Sequence, residues 1–190
     1  MKRAVAFIAG TALLLLGSAA SADKYDDTVQ LFKSAGQSAA FFDSSYGYAV
    51  FPTIVKGGFV VGGAHGSGHV YKHREYVGEV SVTQLSVGLQ AGGQGYSEII
   101  FFEDQRSFGD FTRGSFEFGA DVSAVAITAA ASGSAGTTGA TAGASGGKKD
   151  ATTAGKYYKG MAVFTIVKGG AMYEASIAGQ KFEYQPKDAH

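Results

Sequence analysis

The chain has 190 residues with 16 basic and 16 acidic side chains, so its formal net charge is zero. A neutral chain is not a general polyanion binder, which argues against a nucleic-acid partner and confines any contact with an acidic membrane to a local basic patch. The chain has no cysteine, which excludes disulfides, thiolate metal ligands, cysteine catalysis and a lipid-modified cysteine anchor.

The N-terminal residues have the order of a secretory signal peptide. Lys2 and Arg3 precede an apolar run over residues 4–16, and small residues follow at Ala20 and Ala22. The apolar run is shorter than the ~20 residues that a membrane-spanning helix needs. We therefore expect residues 1–22 to be a signal peptide and residues 23–190 to form one exported domain that is not a lipoprotein.

The next segment, residues 26–35, has the pattern of an amphipathic helix. It opens with two carboxylates, which favour a helix N-terminus, and Tyr25, Val29 and Phe32 fall on one face. Gly36 is a suitable stop, and the stretch QSAAFF after it predicts a second short helix.

From Gly47 onwards the apolar residues alternate with a period of two, which is typical of strands. Eight segments have this pattern, and the stretch DQRSFGDFTRG at residues 104–114 interrupts them as a short helix. One predicted strand, at residues 116–128, has a face graded from large to small side chains, which suits a tapered sheet. We predict a mainly β (α+β) fold. It consists of one antiparallel, glycine-rich, strongly curved or barrel-like sheet with short N-terminal helices and one short helical insert.

A phrase in the first strand recurs late in the chain. AVFPTIVKGG at residues 49–58 returns as AVFTIVKGG at residues 162–170, without the proline. An extra residue turns the following side chains to the opposite face unless the strand bulges, and proline cannot donate to a ladder. We predict a bulge or strand break at Pro52 that the second copy lacks.

His65, His69 and His73 recur every four residues in HGSGHVYKH. On a helix this spacing would align three metal ligands, but the intervening glycines disfavour a helix and favour a turn. We predict a polar hairpin without a metal, and metal binding by neutral imidazoles is the alternative.

Basic residues give the clearest indication of a binding surface. Lys72 and Arg74 lie beside tyrosines in VYKHREY, a combination that suits a phospholipid surface. Lys56 and Lys168 each precede a glycine pair, whose exposed N–H groups can form an anion-binding nest. We predict that these four residues contact phosphate headgroups.

The third strand segment, EVSVTQLSVGLQ, changes the parity of its apolar residues between Val82 and Leu85. If all of them face the core, the strand needs an extra residue there. We therefore predict a β-bulge near Thr83 or Gln84.

Residues 129–155 are mostly alanine, glycine, serine and threonine, and we expect them to form a flexible surface loop. No phosphate-loop pattern occurs, and the glycine pairs do not extend into a dinucleotide-binding fingerprint. We predict no enzymatic activity and no cofactor.

Several of these segments together resemble a known family. YAVFPTIVKGGFVVGGAHGSGHVY, SVGLQAGGQGYSEIIFFED, FEFGADVSAVA and GMAVFTIVKGGAMYEASIAGQKFEY are similar, in this order, to the motifs of the SYLF domain, also described as an actin-binding domain in yeast. The resemblance covers nearly all of residues 29–184. It implies a phospholipid-binding domain. Eukaryotic relatives bind phosphoinositide membranes, some bundle actin, and bacterial relatives are exported proteins of poorly defined role.

The resemblance also implies a membrane contact through the N-terminal amphipathic segment, here the face of Tyr25, Val29 and Phe32. The loop at residues 129–155 stands where relatives often have a Gly-Pro turn, so a headgroup contact there does not transfer. An exported protein would meet neither actin nor, usually, phosphoinositides. Only a general preference for anionic phospholipid membranes remains.

The resulting hypothesis is a non-enzymatic phospholipid-binding protein of the bacterial periplasm or cell envelope. Two alternatives stay open at this point. One is a small outer-membrane β-barrel, and the other is a structural or stress-related envelope interaction module.

Overall fold

The computed structural model describes residues 16–58, 61–87, 92–119, 121–122, 124–127, 156–168 and 177–187. The described helices are α1 Leu16–Ser34, α2 Gly36–Ala39, α3 Phe41–Ser44 and α4 Gln105–Phe111. The described strands are β1 Gly47–Gly58, β2 Val61–Lys72, β3 Glu75–Val87, β4 Gly92–Phe102, β5 Ser115–Glu117, β6 Val125–Ile127, β7 Met161–Val167 and β8 Gln180–Pro186.

The strands form one sheet in the order β5-β8-β3-β2-β1-β4-β7-β6. Every neighbouring pair is antiparallel except β6 and β7, which are parallel. Short helices precede the sheet, and α4 is the helical insert, so the predicted mainly β fold with one curved antiparallel sheet is confirmed.

Chain connectivity requires the sheet to curl. Its two edge strands, β5 and β6, are joined by only eight steps along the chain, from Glu117 to Val125. In a flat sheet of eight strands the edges would lie about 34 Å apart, whereas eight extended residues span at most about 28 Å. The strand predicted at residues 116–128 is therefore wrong as one element, because its two ends belong to opposite edges.

The curled sheet has an apolar core on each side. One cluster fills the concave side and includes Phe51, Phe102, Phe111 and Phe182. The other lies between the convex side and helices α1 to α3 and includes Phe32, Phe42, Phe101 and Phe164. The helices therefore cover one part of the convex side.

The predicted irregularity at Pro52 is confirmed. Between Val50 and Ile54, strand β1 carries one residue more than β2, and its register with β4 shifts at the same place. The hydroxyl of Ser97 on β4 donates a hydrogen bond of 2.7 Å to the Pro52 carbonyl. In the second copy, β7 pairs with β4 in continuous register, as predicted.

The bulge predicted near Thr83 or Gln84 is wrong. Strand β3 pairs with β2 in continuous register through both residues, and its register shifts instead opposite Val70 and Tyr71. With regular alternation, Gln84 is buried on the concave side, whereas Leu85 faces solvent. The polar side chain lies inside and the apolar one outside, the reverse of the expected arrangement.

The predicted hairpin at the glycines between His65 and His69 is also wrong, because β2 runs through both histidines without a turn. The turn comes later, at His73 and Arg74, which both have positive φ. On a strand, residues four apart lie about 13 Å apart, too far to share one metal ion.

Two predictions on chain organisation fall wholly or partly outside the described residues. Residues 1–15 of the expected signal peptide and the expected loop at residues 129–155 are not among them. The expected N-terminal helix is present, but it begins ten residues earlier than predicted, at Leu16 instead of residue 26. Within the described part of the chain, no helix is both long and apolar enough to cross a bilayer.

Candidate functional site

The four basic residues predicted to bind headgroups lie at two ends of the sheet. Lys56 pairs with Gln94, and the Lys168 amide donates to the Gly95 carbonyl at 2.8 Å, so both lysines lie where β1 ends and β4 begins. We call this the glycine-turn end. Lys72 lies opposite Gly47 at the other end, which we call the hairpin end, about 26 Å away along the strands. These four residues therefore do not form one site.

Lys56 and Lys168 also lie on opposite faces of the sheet. Lys56 is only 6% exposed and belongs to the concave side, whereas Lys168 is exposed and its Nζ lies 3.4 Å from the Thr53 hydroxyl on the convex side. The cause is the register, because Gly95 aligns Lys168 with Val55 rather than with Lys56. The expected pair of headgroup-binding lysines is thus corrected, and only Lys168 is at the surface.

At the hairpin end, the two predicted cations already have partners. Arg74 forms an ion pair of 2.8 Å with Asp43, and the Lys72 ammonium lies over the Tyr46 ring at 5.4 Å from its centroid. A cation paired with a carboxylate contributes little net positive potential to the surface. The headgroup role of Lys72 and Arg74 stays a prediction.

The face of α1 that was expected to contact a membrane instead packs on the sheet. Tyr25, Val29 and Phe32 are buried in the cluster between the helices and the convex side. The Tyr25 ring stacks on His69 with 3.4 Å between centroids. In the folded protein this face is unavailable to lipid, so the expectation is corrected: the amphipathic pattern is that of a helix packed on a sheet.

Sequence reasoning missed a groove at the glycine-turn end of the convex side, which none of the described helices covers. Its volume is about 900 Å³. A register row of side chains crosses it from β1 to β5, made of Val55, His65, Thr83, Lys181 and Glu117. Val55 is 59% exposed and Leu85, in the same groove, is 86% exposed. Two large apolar side chains thus face solvent together.

Cations flank these apolar side chains. Lys181 lies within the groove, where its ammonium is 3.6 Å from the Glu117 carboxylate, and both side chains are more than half exposed. Lys168 reaches Thr53 over Gly95, which has no side chain to block the path. The groove therefore combines exposed aliphatic groups with ammonium groups at its margin.

A second unexpected feature is a layer of buried polar side chains on the concave side. It consists of Lys56, Gln84, Tyr96, Glu98, Thr165 and Gln180. Gln180 donates hydrogen bonds of 3.0 Å to both the Tyr96 hydroxyl and the Glu98 carboxyl group. Burial raises the pKa of Glu98 to about 8. The available signal in the sequence was the broken parity at Gln84.

Metal chemistry finds no support in this arrangement. Within the described residues, no three histidine, aspartate or glutamate side chains cluster as a metal ion would require. The polar layer contains a single carboxyl group among amides, hydroxyls and one ammonium group.

Comparison with known proteins relates the chain to one family. The family described as "Ysc84: Las17-binding protein actin regulator" matches residues 83–188, more than half of the chain. A curated relative, "Beta cell expansion factor A" from Aeromonas veronii, is 29% identical over 156 residues, which cover 81% of this chain and 51% of that protein. The chain thus spans about half the length of the curated relative it matches.

Proposed function

From the chain's membership of the Ysc84 family of SYLF-domain proteins, we propose that it is a non-enzymatic phospholipid-binding protein of the bacterial periplasm or cell envelope. The family is one of binding domains. The proposal adds that the ligand is an anionic membrane surface and that the groove at the glycine-turn end makes the contact.

The observation that carries this proposal is the exposure of Val55 and Leu85 beside Lys168 and Lys181. Exposed aliphatic side chains gain free energy when they enter the apolar boundary of a bilayer, at about 25 cal/mol per Å² removed from water. A lysine keeps its ammonium at the phosphate level while its stem lies against apolar surface. Each basic residue near an anionic surface adds about 1 kcal/mol.

The glycine-turn end suits this contact better than the hairpin end. Both ends contain an ion-paired cation, Arg74 with Asp43 at the hairpin end and Lys181 with Glu117 at the glycine-turn end, so the cations do not decide between them. The exposed aliphatic side chains Val55 and Leu85 both lie at the glycine-turn end.

Export is part of the proposal. The order of basic, apolar and small residues at the N-terminus supports it. Removal of residues 1–22 would leave a net charge of −2, so binding to an anionic surface must depend on local cations rather than on the charge of the whole domain.

Vesicle flotation tests the proposal with two charge-matched variants. We expect the wild-type protein to bind phosphatidylglycerol-containing vesicles, to bind pure phosphatidylcholine vesicles weakly, and to dissociate as NaCl is raised. Lys168→Glu/Lys181→Glu should weaken binding to the anionic vesicles by about tenfold or more. Lys72→Glu/Arg74→Glu makes the same charge change at the hairpin end and should weaken binding less.

The outcomes test separately which ligand is bound and which surface of the protein binds it. Equal binding to neutral and anionic vesicles, or binding insensitive to salt, would contradict anionic headgroup recognition. Loss of binding only in Lys72→Glu/Arg74→Glu would keep the ligand and move the contact surface to the hairpin end.

A further inference from the structure

Glu98 is a fully buried carboxyl group in the concave interior of the curled sheet. It is 0% exposed, as are its neighbours Thr165 and Gln180. The cluster on this side of the sheet otherwise consists of apolar side chains such as Phe51, Ile100 and Phe182. A buried polar group costs free energy unless its hydrogen bonds are made, so a polar layer here needs a physical explanation.

The hydrogen bonds of Gln180 cross the interior rather than follow the sheet. Gln180 lies on β8 and its two acceptors, Tyr96 and Glu98, lie on β4, with three strands between β8 and β4 in the sheet order. In a flat sheet these strands would be about 19 Å apart. The side-chain amide therefore links two opposite walls of the curl.

This link leaves specific atoms without partners. Both Nε2 hydrogens of Gln180 are used, while Gln180 Oε1, Glu98 Oε1 and Thr165 Oγ1 have no hydrogen-bond partner among the described residues. A carboxylate needs several donors to be stable when buried. Among the described residues Glu98 has one, from Gln180, and this single hydrogen bond lowers the pKa of Glu98 less than desolvation raises it, so the neutral acid is favoured.

The groups facing Glu98 provide little compensation for a negative charge. Strand β4 adds Tyr96, two residues away, and β1 adds Lys56, which pairs with Gln94, four positions from Glu98 along β4. Strands β3, β7 and β8 add the neutral side chains of Gln84, Thr165 and Gln180. Desolvation is accordingly the largest cause that raises the pKa of Glu98.

We propose that Glu98, Gln180 and Tyr96 form a proton-dependent tie across the curled sheet. The tie holds β8 against β4 while Glu98 is neutral. Ionisation strengthens the Gln180 hydrogen bond itself but leaves a charge in an apolar interior, so the two walls separate to admit water. Gln84 on β3 pairs with Gln180 on β8, and Gly179 directly precedes Gln180. Gln84 and Gly179 also line the convex groove. Loosening the tie therefore also changes the floor of that groove. The inference does not depend on the proposed lipid ligand.

The direction of the pH effect follows from the two states of Glu98. Its pKa is raised on folding from 4.5 to about 8, so the folded protein binds the proton more tightly than the unfolded chain. The stability from this proton is fully present below about pH 4.5, is lost as the pH rises to about 8, and stays level above.

Urea unfolding between pH 5 and pH 9 tests the tie in the full chain. Between these pH values the equilibrium constant for folding of the wild type should fall on the order of a thousandfold. Glu98→Gln keeps a neutral side chain of similar shape and should not show this decrease. Glu103→Gln, an exposed residue just beyond the same strand, is the matched control and should follow the wild type. A Glu98→Gln curve parallel to that of the wild type would overturn the proposal.

Hydrogen exchange on the wild-type protein tests the location of the opening without any variant. After correction for intrinsic exchange rates, amides of β4 and β8 should open more often at pH 9 than at pH 6, while amides in the β1–β2 pair change less. Uniform opening across the sheet, or no pH dependence in β8, would also overturn the tie.

Discussion

Pro52 shows how a single inserted residue is accommodated in a central strand. Proline has no N–H for the ladder, and the extra residue would otherwise reverse the facing of every residue that follows. The bulge absorbs the extra residue, and the freed Pro52 carbonyl accepts a hydrogen bond from the buried Ser97 hydroxyl. The Pro52 bulge therefore depends on a partner from the neighbouring strand.

Ser97→Ala should destabilise the protein by about 2 kcal/mol, because it leaves the Pro52 carbonyl buried without this donor. Ser67→Ala, at an exposed serine on β2, is the control and should change stability by less than about 0.5 kcal/mol. Urea unfolding measures the free energy of unfolding of both variants. Equal effects of the two substitutions would show that the hydroxyl does not stabilise the bulge.

Gln84 and Leu85 show where residue-level prediction failed and why. The alternation rule assumes that apolar residues face the core, and it therefore predicted a bulge at this point. The strand instead stays regular, because the Gln84 side chain donates a hydrogen bond of 2.8 Å to the Ala178 carbonyl, while Leu85 faces the groove. The broken parity was a real signal, but it marked the polar layer and the groove rather than an irregular backbone.

At the scale of the element, α1 was predicted with the correct apolar face but the wrong contact. A helix that packs on a sheet and one that lies on a membrane need the same stripe of apolar residues. The sequence around Tyr25, Val29 and Phe32 cannot distinguish the two. The helix packs on the sheet because the convex side beneath these residues is apolar.

Phe32→Ala should cost about 3–5 kcal/mol in stability, since the ring is fully buried between α1 and the sheet. Leu85→Ala, at an exposed apolar residue, should leave stability nearly unchanged and instead weaken vesicle binding. Thermal unfolding and flotation of both variants check this pair. A Phe32→Ala protein that keeps wild-type stability but loses vesicle binding would show that this helix face contacts the membrane.

At the scale of the whole molecule, the curved sheet was predictable from glycine content and from the period-two alternation, whereas the graded face at residues 116–128 belongs to two edge strands and was not a valid reason for it. The pairing of its edges was not predictable. Phe118 and Ala124 are both buried in the concave cluster, but they lie between two edge strands instead of inside one strand. Local alternation carries no information about which edge a short strand joins.

Stability and membrane binding should respond differently to salt. Ion pairs such as Arg74 with Asp43 and Lys181 with Glu117 join exposed side chains, whose contribution is typically below about 1 kcal/mol. Raising NaCl should therefore shift the urea midpoint little while it releases the protein from anionic vesicles. A midpoint that falls as steeply as the binding would indicate that surface ion pairs, rather than the two cores, stabilise the fold.

The position of β8 in the sheet has a consequence for how the chain is made. This strand lies between β3 and β5, places Phe182 in the concave cluster and carries the Gln180 link, yet in chain order it is the last of the described strands. The interior cannot close before these residues have been synthesised. With this strand order, β3 and β5 lack the strand that joins them, and the interior stays open, until residue 186 has been synthesised.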